Sequence, residues 1–566
     1  MSQRDDMQHS GKKKVRRRRP AGSEPESSRK TTARRRTSSQ SAKGKSPRSV
    51  EYDYDRRRNT NGGHNRKKSE RSGASMQEEK KNRISRNVGL AIAAVQLIAT
   101  IVFMAGVFVL NMLPTAYVAA IGILLLLFWG IILASQFFSK KNAITGKVVS
   151  ILITVILIIG SYFLFKTSGT ISNISGGDYE LDNVVVAVMA DDPAESIQDA
   201  ADYTFGVQYS MNGDQITQTV EAINKELGSD IDTAEYDSLA EQAQALHDGK
   251  VDAIIYNEGY TGILEEAFEG YSQNTKIIYT HSIKREVEDQ SVDVAVKDET
   301  FSVYISGIDV FGPIETNSRS DVNIIAVVNP TSHQILLVTT PRDYYVEIPG
   351  ISGGQKDKLT HAGIYGVDAS MATLEQLYDT DIDFYARVNF TSLIEIVDAL
   401  GGVDVESEYA FTTGSDSGEV INVVQGTNHF NGEEALAFSR ERYNVPGGDN
   451  QRGKDQQAVI TAMIKKMVSP AILTGANGIL NSVSGNVETN MTESQIQELI
   501  KTQLSESPSW NITSMAAEGT GDSQYCYSYS GSPLYVMQPD QASVDAIKDA
   551  IDAVENGETL EGTTTE

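Results

Sequence analysis

Residues 435–457, ALAFSRERYNVPGGDNQRGKDQQ, set cations, chain breakers and two periodicities side by side. Ala435 to Tyr443 reads as a strand. Its alternation puts Arg440 and Arg442 on one face with Leu436 and Phe438, and turns Glu441 away. Pro446-Gly447-Gly448-Asp449 breaks the strand. Asp449 or Asn450 then caps a helix on which Arg452 and Gln456, four residues apart, lie one above the other. A strand end and a helix start thus aim three Arg and one Gln at a single volume of an α/β layer. Guanidiniums this close repel and are costly to desolvate, so the cluster belongs beside solvent, carboxylates or a bound multivalent anion. A solvated basic face is the plainer alternative. The anion reading is favoured because the chain around this stretch is strongly acidic and offers few other cations.

That acidity is hidden in the total. The 566 residues are 40% hydrophobic and carry a formal net charge of -25, but residues 1–87 hold 27 Lys and Arg against 10 Asp and Glu, and the remainder 23 against 65. The basic segment, 1–87, has Arg and Lys runs among Ser, Gly, Asn and Thr and too few aliphatics for a core, so it is expected to be a disordered cytoplasmic tail. Anionic lipid headgroups are its favoured partner, since only Tyr52 and Tyr54 are available to stack on bases; nucleic acid is disfavoured.

Three apolar runs follow within residues 88–166: Val88 to Leu110, Thr115 to Phe138 and Val148 to Phe165. Two reach the ~20 residues of a spanning helix and the third sits at the lower limit. A cleavable signal peptide would be one shorter run near the start. Lys140, Lys141 and Lys147 place the second loop in the cytoplasm with the tail, and an odd number of spans puts everything after residue 166 outside the cytoplasmic membrane. The spans hold no Asp, Glu, Lys or Arg, which favours an anchor over a transport path. The single cysteine, Cys526, allows no intramolecular disulfide, so stability must come from cores.

After a Ser/Gly-rich linker, Thr167 to Gly177, residues 178–297 read as a small accessory α/β domain. Its strands are Asn183 to Met189 and Val251 to Tyr256, its helices Gln215 to Leu227 and Tyr236 to His247. Neither a phosphate loop nor a metal spacing is visible there. Residues 298–555 form a second α/β domain. FSVYISGIDVFG is a strand ending at Asp309, Asp321 leads into the strand IIAVVNP, and ILLVTTPRD throws Arg342 off a strand end. Lys356 to Ala362 opens a helix that brings Lys358 and His361 to its anion-friendly start. Phe384 to Phe390 is a strand, Leu393 to Leu400 a helix closed by Gly401-Gly402, and Val403 to Val405 a strand start. Helices are expected at Ala458–Met467, Thr492–Leu504 and Gln541–Val554, with Tyr-rich edge strands at Gln524–Met537 and a disordered acidic tail at 556–566.

From Phe301 to Glu555 the chain resembles the LytR-CpsA-Psr (LCP) family of membrane-anchored cell-wall ligases. The resemblance rests on an ordered set of motifs: GID with Asp309, RSD with Asp321, PRD with Arg342, DKLTHA with Lys358, YARVNF with Asn389, DALGGVDV, GEEAL, SRERY and GGDNQRGKDQQ. The basic-tailed anchor and accessory domain resemble, more loosely, the arrangement of capsule-assembly members. Thr360 and His361 depart from the Asn-His or Asn-Ala of many relatives, and Val322 from the commoner Thr.

This resemblance implies an αβα sandwich on a central mixed sheet, with an apolar tunnel for a polyprenyl chain and a cationic mouth for its pyrophosphate. Arg342, Lys358, Asn389, Arg440, Arg442, Arg452 and Gln456 match phosphate-contacting positions, and Asp309 and Asp321 match acids associated with Mg²⁺, Mn²⁺ being the alternative ion. The implied reaction moves a capsular or teichoic acid glycopolymer from polyprenyl pyrophosphate to peptidoglycan, in a Gram-positive type envelope and beside polymer-assembly membrane proteins. Arg342, Arg440, Arg442 and Asp321 are the implied catalytic set. The chemistry suits the residues: guanidiniums fork onto phosphate oxygens, and charge on a departing polyprenyl phosphate is stabilised by Arg and a divalent ion. A phosphohydrolase acting on the same lipid pyrophosphate, and a non-catalytic membrane regulator, are the two alternatives.

Overall fold

Two mixed sheets divide the region after the apolar helices between them. The computed structural model describes residues 64–138, 140–174, 179–268, 270–286, 292–308, 314–467, 487–506 and 508–560. The chain divides at Ser75 into two compact units, and of the first only the helical backbone from His64 is described.

Three long helices come first: α1 (His64–Leu110), α2 (Thr115–Phe138) and α3 (Lys140–Ile174). Within them Ser75–Leu110, Thr115–Phe138 and Ala143–Thr167 are long and apolar enough to cross a membrane. Lys147 Nζ donates to Ser85 Oγ at 2.6 Å at one end of this bundle. At the other, Leu110 and Met112 pack against Ile496 and Ile500 of the later chain. The basic start of α3, read from sequence as a loop, and the contacts with the later chain therefore lie at opposite ends. Two expectations change here. Helix α1 already begins at His64, inside the segment read as disordered, because polar residues can extend an existing helix without a new nucleus; residues 1–63 lie outside the described residues. Likewise α3 runs on to Ile174 through most of the expected linker.

The first sheet is five-stranded, in the order β3-β2-β4-β1-β5. Its strands are β1 (Tyr179–Met189), β2 (Thr204–Val207), β3 (Asp232–Glu235), β4 (Ala253–Asn257) and β5 (Thr275–Glu286). Helix α4 (Gly213–Leu227) and helix α5 (Leu239–His247) cover it, and the short α6 (Thr261–Ala267) follows β4. Val184 to Val188 are wholly buried because the sheet is covered on both faces, which is why NVVVAVM is a continuous apolar run.

The second sheet has six strands. Its core is β6 (Phe301–Ile308), β7 (Ser320–Asn329) and β8 (Gln334–Thr339), antiparallel to one another. Strand Phe384–Val388 joins parallel to β6, Asn511–Ala516 joins parallel to β8, and Val487–Thr489 closes one edge. On one face lie helices Val367–Tyr378 and Gln541–Glu555, packed on Tyr304, Ile325, Val327, Leu336 and Val338. On the other, Ile460 and Ile464 of helix Asp449–Met467 meet Ile324, Ala326, Ile335 and Leu337. Side chains alternate across the pleat, so one strand feeds both layers and an αβα sandwich on a mixed sheet results.

Residues 435–443 are the main correction. They form not a strand but the helix Gly432–Arg440 and the loop after it. Asn431 and Glu434 make a reciprocal capping box at 3.0 and 2.9 Å, and Ala435 to Ser439 are all buried, so alternation carried no information about faces. Phe438 sits between Phe411 and Phe430, with ring centroids 5.9 and 5.2 Å away. Three smaller differences follow the same logic of local hydrogen bonding. Lys356–Lys358 is a short strand before a single helical turn, Leu359–Ala362. Phe390 opens a helix, capped by Asn389, instead of ending a strand. Residues 556–560 are held, not disordered: Gln334 donates to the Glu558 carbonyl at 3.1 Å and accepts from Leu560 N at 3.2 Å. Residues 561–566 lie outside the described residues.

The two sheets are joined by buried charge. Arg387 lies 3.1 Å from Glu488 and 3.5 Å from Glu180 of β1, while Arg285 of β5 pairs with Glu180 and Asn317 donates to both Glu180 and Asp182. All but Arg285 in this network are buried.

Candidate active site

One end of the six-stranded sheet collects the functional side chains. There β8 runs into Pro341-Arg342-Asp343, Phe384–Val388 leads into Asn389, and Asp321 is the second residue of β7. Ends of strands are where a rigid sheet hands the chain to loops, which suits a binding site. Lys358 arrives from the strand paired with Tyr345–Glu347, and two backbone bonds fix it to the Arg342 loop: Leu359 N to Tyr344 O at 2.9 Å and Thr360 N to Arg342 O at 2.8 Å.

These residues line one cavity of about 1100 Å³. Every described member of the expected site is on its wall: Asp321, Arg342, Lys358, Asn389, Arg440, Arg442, Arg452 and Gln456. Asp309 lies outside the described residues. Apolar side chains Ile308, Val322, Leu393, Leu436, Val459 and Ile460 line the same space. Among the described residues no group of three or more His, Cys, Asp or Glu is arranged to hold a metal ion.

The cations fall into two sets. Arg342 donates to Asp321 Oδ1 at 2.8 Å and stands 3.6 Å from Asp343, while Lys358 Nζ lies 3.2 Å from Asp343 and 2.5 Å from Glu266. Arg319 reaches Glu266 at 3.9 Å. Arg440 and Arg442, by contrast, have no carboxylate partner among the described residues. Arg440 covers the Phe390 ring at 4.6 Å and Arg442 the Tyr443 ring at 4.7 Å. Such cation–π contacts hold a guanidinium in place without cancelling its charge.

Electrostatics sort the carboxylates. Burial alone would push Asp321 up, but Arg342, Arg319 and Arg452 together hold it well below the usual range. Asp343 is likewise held down against its burial, by Arg342, Lys358 and Arg452. An acid so firmly ionised is a weak acceptor of protons. Asp321 thus fits an electrostatic or orienting part better than that of general base.

Supporting contacts explain the local sequence. Thr360, one of the departures from the family pattern, donates to Asp321 Oδ1 at 3.2 Å. His361, the other, turns away from the cavity and lies 2.6 Å from Asp357 and 2.8 Å from Ser528, all three wholly buried. Asn389 spends its Oδ1 on capping, accepting from Ser392 N at 2.9 Å. Behind the Arg pair, Glu441 takes up the backbone N–H groups of Gly414, Arg442, Tyr443 and Asn444 at 2.5–2.9 Å. That ring of donors sets the loop carrying Arg442. Burial would raise the Glu441 carboxyl, yet these bonds bring it down to about 2. Gln457 holds the helix Asp449–Met467 on the sheet through the carbonyls of Leu337 and Met515, at 3.1 and 3.0 Å.

Sequence reading alone missed Arg319, Asp343 and Glu266. The first two sit inside the RSD and PRD motifs beside residues already singled out. Glu266 gave no signal, because it belongs to α6 in the other sheet's unit.

The LytR_cpsA_psr family profile matches residues 266–551. The chain belongs to this family. A LytR-CpsA-Psr relative from Bacillus anthracis, polyisoprenyl-teichoic acid–peptidoglycan teichoic acid transferase TagU, is 36% identical over 239 residues, covering 42% of this chain and 76% of that protein. The protein of the same name from Enterococcus faecalis is 36% identical over 204 residues, 36% of this chain and 65% of its own length. Among solved structures, B. subtilis TagV is 27% identical and covers 47% of this chain and 100% of its own, with a TM-score of 0.38.

Proposed function

We propose that this LytR-CpsA-Psr protein transfers an anionic glycopolymer, of teichoic acid or capsular type, from a polyprenyl-pyrophosphate carrier to peptidoglycan. The observation that carries the reading is the joining of six cations and an apolar wall in one cavity. A polyprenyl pyrophosphate is a long apolar chain ending in two phosphates, so it needs that combination. The names of the relatives, which describe teichoic acid transfer to peptidoglycan, support the same class of substrate.

In this mechanism the acceptor hydroxyl oxygen attacks the sugar-side phosphorus. A new P–O bond to the acceptor forms as the bond to polyprenyl phosphate breaks, and the hydroxyl proton passes to water. Arg342, Arg440 and Arg442 bind the phosphates and stabilise the negative charge that grows on the leaving group. Lys358, Arg452 and Gln456 orient the head, and Asp321 holds Arg342. A hard carboxylate beside phosphate-binding cations fits Mg²⁺, which takes one or two protein carboxylates and completes its shell with phosphate and water. Asp321 and Asp309 would hold it, and it would add charge neutralisation at the phosphates.

The arrangement of the bundle supports a topology with the basic tail and the lysine-bearing start of α3, Lys140 to Lys147, in the cytoplasm and residues after 166 outside. Lys147 meets Ser85 at one end of the helices, and the catalytic unit packs at the other. Mass spectrometry of the detergent-purified chain tests the function directly. Co-purified polyprenyl phosphates in wild type, lost in Arg440→Ala, are the expected result. A wild-type protein that carries none and gains no thermal stability from added lipid pyrophosphate with Mg²⁺ would sink the reading.

A further inference from the structure

The cavity rich in cations is not net positive. Its wall carries Arg319, Arg342, Lys358, Arg440, Arg442 and Arg452, but also six carboxylates, three of them contributed by the unit of the first sheet: Glu258, Glu265 and Glu266. Glu266 is the one that enters the cation cluster. Its carboxylate lies 2.5 Å from Lys358, 3.8 Å from Arg342 and 3.9 Å from Arg319. The helix bearing it is seated against the site: a side chain at Gly262 would collide with the Arg319 guanidinium, its Cβ falling 2.1 Å from Cζ.

Around Lys358, then, Lys358, Arg342 and Arg319 meet the acids Glu266, Asp321 and Asp343, and Arg452 adds its charge beside the two aspartates. A lysine already held by two carboxylates gains little from a phosphate unless one acid gives way. Asp321 and Asp343 cannot leave easily, since Asp321 is held in β7 and Asp343 in the tight turn after β8, with side chains 17% and 6% exposed. Glu266 is 27% exposed and sits on a short helix of the other unit. It is the acid best placed to yield.

We propose that Glu266 is a resident counter-ion that the arriving head group must displace from Lys358. The proposal rests on the phosphate-binding reading above. Displacement favours the ligand with more charge and more oxygens. A pyrophosphate can engage Arg440 and Arg442 with one phosphate and compete for Lys358 with the other. A monophosphate engages one set alone and leaves Glu266 in place. The carboxylate thereby weakens only the binding of a pyrophosphate that spans both sets, and its return to Lys358 after cleavage helps the product depart.

The test is calorimetric titration of the full chain in detergent with inorganic pyrophosphate and, separately, inorganic phosphate, for wild type, Glu266→Gln and Glu266→Asp. Gln keeps the size and removes the charge. The expected result is pyrophosphate binding tightened about tenfold or more in Glu266→Gln, a smaller gain for phosphate, and a correspondingly wider ratio between the two. Glu266→Asp, which keeps the charge but draws it back from Lys358, should fall between. An unchanged ratio, or weaker binding of both anions in Glu266→Gln, overturns the proposal and leaves Glu266 as a support for Lys358. If wild type and both variants bind neither anion, and Arg440→Ala makes no difference, the phosphate-site reading itself fails.

Discussion

Arg342 and Asp321 meet at 2.8 Å although 21 residues separate them, one leaving β8 and the other entering β7. Thr360 donates to the same carboxylate oxygen, so Asp321 is a hub that orients a guanidinium at the cavity wall. Replacing it by Asn should lower polymer transfer about a hundredfold, the scale of losing one preorganised electrostatic contact in a transition state. Affinity for inorganic pyrophosphate should not fall, because a negative charge has been removed. Equal losses of binding and turnover would show that Asp321 acts through binding alone.

Arg342→Ala and Arg440→Ala should differ in stability. Losing Arg342 leaves Asp321 and Asp343 short of their partner, with a cost of about 3–5 kcal/mol by the usual penalty for a broken buried pair. Losing Arg440 strands no described carboxylate, so its melting temperature should stay near wild type. Lipid pyrophosphate binding should nevertheless weaken by about ten- to a hundredfold, the range of a charge-assisted contact. Melting curves beside binding curves check both.

Glu441→Gln should loosen the loop that carries Arg442. The folded carboxyl lies at about 2, below the ordinary 4.5, so its contribution to stability is complete above about 4.5 and is lost as pH falls towards 2. Wild type should exceed the variant by about 2 kcal/mol at neutral pH, and the gap should close across that window. A gap that ignores pH would mean the charge is irrelevant.

Asp455→Asn should stabilise. Burial pushes this carboxyl from 3.8 to about 7, with Gln451 donating at 3.0 Å as a partial offset. The folded state favours the protonated form, so the wild type loses stability as pH rises from about 4 to about 7 and then levels off. The variant should show no such decline and melt higher at pH 8, by the equivalent of about 1–2 kcal/mol. Thermal melts between pH 4 and 8 decide it.

Much was legible from the chain itself because some features depend only on neighbours in sequence. Apolar runs long enough to span a membrane, the covered strands NVVVAVM and IIAVV, and the helix through Arg452 and Gln456 are properties of local periodicity and length. The ordered motifs from Asp309 to Gln456 marked residues whose described members do share one cavity. Periodicity failed at Ala435 to Ser439, where burial on all sides left alternation and helical spacing indistinguishable and a capping box at Asn431 decided the matter.

Charge balance lay beyond any such reading. From sequence the basic cluster is a set of Arg and Lys residues. Only tertiary structure decided which of them meet a carboxylate, pairing Arg342 with Asp321 and Lys358 with Glu266 while leaving Arg440 and Arg442 on aromatic faces. Electrostatic energy depends on separation in space, and Glu266 stands 92 residues from the Lys358 that it neutralises at 2.5 Å.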